Sequence, residues 1–256
     1  MNFFAVQFDV VWEDVSRNWE KIEALLEGEG DLDGSMIFLP EMFATGYTME
    51  PDRVVSKIPE AVERLKEFSR EKKCLIGGSL PAYDDGKFYN RFYVYAEGKE
   101  LAVYDKRHLF GNAGEHKVYA GGNRPVTFDY NGWKVKPVVC YDLRFPVWLR
   151  NVEGYDLLVA VANWPAKRDE VWRLLLRTRA IENQSYVLGV NRVGTDGNGY
   201  EYSGSSVFVD AKGKIIADMQ YKEGVLSVRN VSKDDLYDFR EKFDTLKDAD
   251  KFKIEL

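Results

Sequence analysis

The sequence predicts an α/β fold built on a mixed sheet or on two sheets. Short apolar segments typical of strands alternate with longer amphipathic segments typical of helices along the 256 residues. A hairpin-like segment near the middle and a run of successive strands near the end add antiparallel pairs to this alternation. No repeat, low-complexity tract or flexible linker divides the chain, so we expect one domain over residues 1–256.

The first part of the chain contains three predicted strands and two predicted helices. FFAVQFDV (3–10) predicts a strand, and residues 16–27 predict a helix because apolar side chains recur at near-helical spacing. SMIFLP (35–40) predicts a short buried strand. EAVERLKEFSREKK (60–73) predicts an amphipathic helix, and CLIGGSL (74–80) leads back into a strand.

The remainder continues this alternation and ends in a charged segment. Residues 91–106 predict a hairpin whose turn centres on Glu97-Gly98-Lys99, and residues 169–184 predict a long helix. Further strands are predicted at VKPVVC (135–140), YDLLVAVAN (155–163), SYVLGVNRV (185–193), GSSVFVD (204–210), KIIADM (214–219) and GVLSVRN (224–230). From Ser232 the chain is charged with scattered aromatic residues, and we expect an extended tail there.

The overall composition excludes several classes of protein. With 36 basic and 42 acidic residues the chain carries a formal net charge of −6, which argues against a nucleic-acid-binding surface. No apolar run approaches the length needed to cross a membrane, and the N-terminal segment carries acids where a secretory signal has basic residues. We therefore expect a cytoplasmic protein that binds neither nucleic acid nor membrane.

The counts of cysteine and histidine limit the available chemistry. Cys74 and Cys140 are the two cysteines, and both are expected to be reduced thiols in the cytoplasm. His108 and His116 are the two histidines, which is too few for a multi-histidine metal site. We expect a protein that uses no metal and no cofactor.

Polar side chains that could react follow apolar strands at three places. Glu41 follows MIFLP, Lys106 follows LAVYD, and Cys140 follows VKPVV, where the sequence changes abruptly to the polar YDLR. Because strand ends gather at one rim of a layered α/β sheet, these three side chains could meet there. A carboxylate can take the thiol proton, the thiolate can attack an electrophilic carbon, and an ammonium can hold the developing oxyanion.

Other interpretations stay open at this level. Taken singly, the three residues could be a surface carboxylate, a solvated amine and a small core thiol, and Cys74 is expected to be a packing residue. A thiol hydrolase that pairs Cys140 with His108 or His116 would need neither the carboxylate nor the amine. A binding module without catalytic activity is the third alternative.

FLPEMF, YDKRHLF and VVCYDLRFP, in this order, resemble the three signature segments of the nitrilase superfamily of carbon–nitrogen hydrolases. The resemblance extends through ENQSYVLGVNRVG (182–194) and GSSVFVDAKGKII (204–216). DKRHLF, CYDLRFP and ANWP (162–165) are most similar to the omega-amidase branch, which hydrolyses 2-oxoglutaramate and related short dicarboxylic monoamides. A nitrilase or another small-amide hydrolase of the same superfamily is the closest alternative.

The resemblance implies an architecture and an assembly. The family fold is a four-layer αββα sandwich of two mixed sheets flanked by helices. Its members usually form homodimers or higher homo-oligomers through helices near the active site. They often exchange the C-terminal tail, which corresponds here to the segment from about residue 232.

The resemblance also implies roles for individual residues. It makes Glu41 the general base, Lys106 the oxyanion-stabilising cation and Cys140 the nucleophile. Glu115, in GEHKVYAGG, corresponds to a second glutamate that orients the lysine or the substrate amide. The peptide N–H of Tyr141 corresponds to the other oxyanion donor.

Candidates for binding a small amide substrate are less specific in the sequence. Arg144, four residues after the candidate nucleophile, could hold a distal carboxylate or could instead form a structural ion pair. Phe43, Tyr47 and Trp164 could form the walls of a small pocket or could simply pack. His116 could contact substrate, although a structural histidine is an equally simple interpretation.

Overall fold

The computed structural model describes residues 1–255, which form two sheets with helices packed on them. The strands are β1 Phe3–Gln7, β2 Met36–Phe38, β3 Leu75–Asp84, β4 Lys87–Ala96, β5 Lys99–Asp105, β6 Phe128–Tyr130, β7 Trp133–Val139, β8 Leu157–Ala162, β9 Tyr186–Asn191, β10 Val193–Thr195, β11 Glu201–Val209, β12 Ile215–Gln220 and β13 Gly224–Val228. The helices are α1 Val15–Glu27, α2 Ile58–Glu71, α3 Pro146–Leu149, α4 Asp169–Asn183 and α5 Asp234–Lys242.

Both sheets are mixed. The first has the order β13-β1-β2-β3-β4-β5, in which β1, β2 and β3 are parallel and the other neighbours antiparallel. The second has the order β10-β11-β9-β8-β7-β6, with β7, β8 and β9 parallel and β12 paired to β11. The parallel strands β1, β2 and β8 are buried along their whole length, as expected from sequences that are apolar throughout except for Gln7 at the end of β1.

Two hydrophobic clusters show how the layers stack. One lies between the sheets and includes Phe3 of β1 and Phe208 of β11, whose rings stack with their centroids 5.3 Å apart. The other lies between the first sheet and helices α1 and α2, and includes Phe4 and Trp19. Phe3 and Phe4 fall in different clusters because consecutive strand residues face opposite sides. With α4 packed on β9 and β11, the layers form the expected αββα sandwich.

The predicted helices at 16–27, 60–73 and 169–184 correspond to α1, α2 and α4. The hairpin predicted over 91–106 is longer than expected, because β4 begins at Lys87 and pairs with β3 as well as β5. The β3–β4 turn is Asp85-Gly86, a dipeptide that accepts the positive φ values found there, so the sequence did contain this signal.

The expectation of an extended tail from Ser232 is wrong for part of that segment. Residues Asp234–Lys242 form helix α5. Leu236 is buried and Phe239 packs beside it against the core between the sheets, which places both on one face of the helix. Within residues 1–255, no helix is long and apolar enough to span a bilayer.

Candidate active site

Three loops at strand ends carry the reactive side chains to one pocket. Glu41 lies three residues after β2, Lys106 directly after β5, and Cys140 directly after β7, so two come from the first sheet and one from the second. All three line a cavity of about 220 Å³. The sandwich therefore brings together the carboxylate, ammonium and thiol that the sequence places at three separate strand ends.

Lys106 lies between two carboxylates. Its Nζ is 2.9 Å from Glu41 Oε1 and 2.9 Å from each carboxylate oxygen of Glu115. All three side chains are almost completely excluded from solvent. Burial by itself would lower the pKa of Lys106, but Glu115 and Glu41 outweigh it and raise that pKa well above its usual value. Lys106 is therefore a permanent cation.

The Glu41 carboxylate is held by donors on both of its oxygens. Oε1 accepts from Lys106 and, at 2.8 Å, from Asn90 Nδ2, while Oε2 accepts from the Asn163 N–H at 2.8 Å. Asn163 Nδ2 also donates to the Glu41 main-chain carbonyl at 2.7 Å. Neither Asn90 nor Asn163 was predicted from the sequence. Asn163 lies in the ANWP segment. Asn90 lies in β4, and the strand predicted there began one residue after it, at residue 91.

The loop that carries Lys106 is packed against a glycine pair. Gly122 N–H donates to the Lys106 carbonyl at 2.9 Å. A Cβ at Gly122 would lie 2.1 Å from the Asp105 carbonyl oxygen, so no other residue fits at this distance. The chain between β5 and β6 can thereby fold back and place Glu115 beside Lys106.

Cys140 has a strained backbone and a largely protonated thiol. Its φ of 44° lies in the left-handed region, which is uncommon for a residue other than glycine. Burial raises the pKa of the Cys140 thiol well above its ordinary value, Glu41 adds to the rise, and Lys106 opposes it only in part. The thiol therefore needs a nearby base to become a nucleophile, and Glu41 is the carboxylate that shares its pocket.

Comparison with known proteins identifies the family. The family model described as "Carbon-nitrogen hydrolase" matches residues 5–241. The chain belongs to the carbon–nitrogen hydrolase family. It is an enzyme of the nitrilase superfamily that acts on amides.

Three relatives of this carbon–nitrogen hydrolase are named as amidases. "Omega-amidase YafV" of Yersinia enterocolitica is 42% identical over 96% of both chains, and "Omega-amidase YafV" of Escherichia coli (strain K12) is 41% identical over 97% of this chain and 96% of that protein. "2-oxoglutaramate amidase" of Bacillus subtilis (strain 168) is 31% identical over 86% of this chain and 87% of that protein.

One solved structure has nearly the same fold as this chain. XC1258 from Xanthomonas campestris, described as a CN-hydrolase superfamily protein with an arsenic adduct in the active site, superimposes with a TM-score of 0.95. It is 35% identical, and the match covers 100% of this chain and 99% of that one.

The pocket of this hydrolase contains some of the predicted substrate-binding residues. Tyr47, Arg144 and Trp164 all line it, as does Tyr141, whose peptide N–H was predicted to be an oxyanion donor. The Arg144 guanidinium lies 5.0 Å from the centre of a Trp164 ring. The Tyr47 hydroxyl is buried and has no hydrogen-bond partner among residues 1–255.

Two predicted binding residues lie elsewhere. Phe43 is fully buried in the cluster beneath α1 and α2, with its ring edge-on to Trp19 at 5.6 Å, because it follows the loop back into the core. His116 is exposed on the short turn Glu115–Lys117 and does not line the pocket, because its neighbour Glu115 is the residue that turns inward.

The alternative of a Cys–His pair finds no support in this arrangement. His108 stacks on Phe145 at 3.7 Å and its Nδ1 lies 2.8 Å from Asp142 Oδ1. Neither histidine lines the pocket that contains Cys140. Within residues 1–255, no three His, Cys, Asp or Glu side chains are grouped to hold a metal ion.

Further pocket residues were not predicted from the sequence. Arg168 lies 5.4 Å from the centre of the Phe110 ring, and both line the pocket. Tyr200 and Tyr202 reach it from the strand pair at the end of the second sheet. Arg168 follows ANWP by three residues, and that short spacing was the available signal.

Proposed function

We propose that this enzyme is an omega-amidase that hydrolyses the terminal amide of a short dicarboxylic monoamide such as 2-oxoglutaramate. The observation that carries the proposal is a pair of guanidinium groups in the pocket wall, Arg144 and Arg168. Each lies over an aromatic ring, and neither forms an ion pair with a carboxylate of residues 1–255. The names of the relatives, omega-amidase and 2-oxoglutaramate amidase, support the same substrate class.

The two arginines indicate a negatively charged substrate group. A half-buried guanidinium without a partner is well suited to bind a carboxylate through two parallel hydrogen bonds. The ammonium at the other end of the pocket is already neutralised by Glu41 and Glu115. The distal carboxylate therefore binds at the arginines, and the amide reaches Cys140. A nitrile or simple amide has no group that would use the arginines.

In the proposed first half-reaction, Cys140 Sγ forms a bond to the amide carbon. Glu41 accepts the thiol proton, and the Lys106 ammonium and the Tyr141 N–H hold the oxyanion of the tetrahedral intermediate. Glu41 then gives that proton to the amide nitrogen. The carbon–nitrogen bond breaks, ammonia leaves, and a thioester to Cys140 remains.

In the proposed second half-reaction, Glu41 takes a proton from water as the water oxygen attacks the thioester carbon. The same oxyanion donors hold the second tetrahedral intermediate. The carbon–sulfur bond then breaks, the dicarboxylic acid leaves, and Cys140 recovers its proton from Glu41. Glu115 supports both steps because it holds Lys106 in place without occupying the substrate side of the pocket.

Further proposals concern the organisation of the enzyme. We infer one domain whose tail, from about residue 232, is exchanged in a homodimer or a higher homo-oligomer. Phe243 and Phe252 support this because both are largely exposed in the single chain. The unpaired state of both cysteines supports a cytoplasmic location.

Ammonia release tests the proposed function. Wild type and Cys140→Ala are compared on 2-oxoglutaramate, with glutamine, asparagine and a simple nitrile as alternative substrates. We expect turnover of the oxo-amide by wild type and none by the variant. Turnover of the nitrile but not the oxo-amide would refute the substrate class. Robust turnover by Cys140→Ala would refute the assignment of the nucleophile.

A further inference from the structure

Asp142, two residues after Cys140, is a fully buried carboxylate with four hydrogen-bond donors around it. Oδ2 accepts from the Tyr104 hydroxyl at 2.7 Å and from the Val139 N–H at 3.1 Å. Oδ1 accepts from the His108 N–H at 2.9 Å and lies 2.8 Å from His108 Nδ1. The group is thus saturated by donors and does not line the pocket.

These donors flank two of the three reactive residues. Val139 immediately precedes Cys140, so Asp142 closes a tight loop around the nucleophile. Tyr104 precedes Lys106 by two residues and His108 follows it by two, so the same carboxylate holds both sides of Lys106.

The Tyr104 hydroxyl extends this hold. Besides donating to Asp142, it accepts from Trp148 Nε1 at 3.0 Å and from the Arg107 N–H at 3.3 Å. Arg107 is the residue after Lys106, so its main chain is also fixed. Burial and the adjacent Asp142 raise the pKa of Tyr104 well above its ordinary value, which keeps the hydroxyl protonated as a donor.

Strand pairing does not set the distance between Lys106 and Cys140. The strands that deliver them, β5 and β7, belong to different sheets. Cys140 also sits in a left-handed backbone conformation, which persists only where its surroundings enforce it. Some contact between the layers must therefore fix the distance between the ammonium and the thiol. The Asp142 group, which is the Asp142 carboxylate with its partners Tyr104, His108 and the Val139 N–H, joins their two loops directly.

We propose that Asp142, acting through Tyr104 and His108, is a positioning residue that keeps Cys140 and Lys106 at their working separation. This inference rests on the roles proposed above for those two residues. Displacing catalytic groups by about 1 Å can cost about 100-fold in rate. Loosening the Asp142 group should therefore lower kcat while leaving KM, which reflects the arginine end of the pocket, nearly unchanged.

Tyr104→Phe and Asp142→Asn are the test variants. The first removes only the hydroxyl. The second must set an amide N–H against at least one of the donors now satisfied by the carboxylate. Tyr155→Phe is the matched control, since the Tyr155 hydroxyl is equally buried and donates to the Leu149 carbonyl at 2.6 Å, but lies outside the group.

The primary readout is kcat per reactive thiol, measured on protein that gel filtration has first separated from unfolded chains, so that only folded enzyme is counted. Cys74 does not interfere in the folded enzyme, because it is fully covered, whereas Cys140 is only partly covered and lines the pocket. We expect Tyr104→Phe to lower kcat per thiol about 10- to 100-fold with KM within about threefold of wild type. Tyr155→Phe should keep kcat even if its melting temperature falls equally.

A second readout does not depend on the substrate. The rate of Cys140 alkylation by iodoacetamide is measured against pH, since Lys106 lowers the thiol pKa while Glu41 and Glu115 raise it. We expect Tyr104→Phe to move this profile to higher pH and Tyr155→Phe to leave it in place. If wild type does not hydrolyse 2-oxoglutaramate, the proposed function fails, but this profile still tests the positioning role.

Two results would overturn the inference. One is a folded Tyr104→Phe enzyme with wild-type kcat per thiol and an unshifted alkylation profile. The other is an equal loss of kcat per thiol in Tyr155→Phe, which would show a general effect of destabilisation. If Asp142→Asn does not fold, Tyr104→Phe decides alone.

Discussion

Replacing Lys106 by methionine removes the cation but keeps a side chain of similar length. In the native site the ammonium is 2.9 Å from Glu41 Oε1 and from both Glu115 oxygens, and it is buried. Without it two carboxylates face each other in a dry site, and their repulsion is no longer compensated. Breaking a buried ion pair in this way costs about 3–5 kcal/mol of unfolding free energy.

The effect on catalysis of Lys106→Met is separate from the effect on stability. Losing one oxyanion donor typically costs about 2.7–4 kcal/mol of transition-state stabilisation, which is about 10²–10³ in kcat. The variant also loses the charge that lowers the Cys140 pKa, so its thiol should titrate at higher pH than in wild type. We expect at least about a 100-fold fall in kcat in the folded protein.

The assay combines ammonia release with urea unfolding followed by tryptophan fluorescence. Lys66→Met is the control, because Lys66 pairs with Glu63 at 3.0 Å on the exposed face of α2. Such surface pairs contribute about 0–1 kcal/mol, so this variant should match wild type in both measurements. A folded Lys106→Met enzyme with kcat within tenfold of wild type would refute the proposed oxyanion role.

Three further outcomes follow from the site. Arg168→Met should raise KM for 2-oxoglutaramate about 10-fold or more, the value of a charge-assisted hydrogen bond, and leave KM for an uncharged amide unchanged; equal effects on both would refute the carboxylate site. Glu115→Gln should lower kcat yet shift Cys140 alkylation to lower pH, because Glu115 raises the thiol pKa; a shift to higher pH would contradict this. Tyr47→Phe should not reduce the unfolding free energy measured in urea, since the buried Tyr47 hydroxyl has no hydrogen-bond partner within residues 1–255. It should lower kcat/KM, because that hydroxyl is then free to contact substrate. A loss of stability alone would show a structural role.

The three strand ends could be predicted from the sequence because an apolar strand and the polar residue that follows it are neighbours along the chain. Glu41, Lys106 and Cys140 each follow an apolar run, and the structure brings all three to one pocket. Asn90 was not found because its contact with Glu41 depends on the pairing of β4 with β3, which in turn pairs with β2, and no local pattern records this order. Phe43 was wrongly predicted to line the pocket for the same reason. A shift of one residue in the path of the loop turns a side chain from the pocket into the core.

The distribution of charge in the pocket favours one orientation of the substrate. At the reactive end, one ammonium is shared by two carboxylates, so this end is not electropositive and would not attract a second carboxylate. Arg144 and Arg168 in the pocket wall form no ion pair within residues 1–255, and each lies on an aromatic face that limits its hydration. Under the proposed function, a monoamide carrying one carboxylate is expected to bind in one orientation, with its neutral amide at Cys140. The reverse orientation would set the carboxylate against Glu41 and leave both guanidinium groups unused.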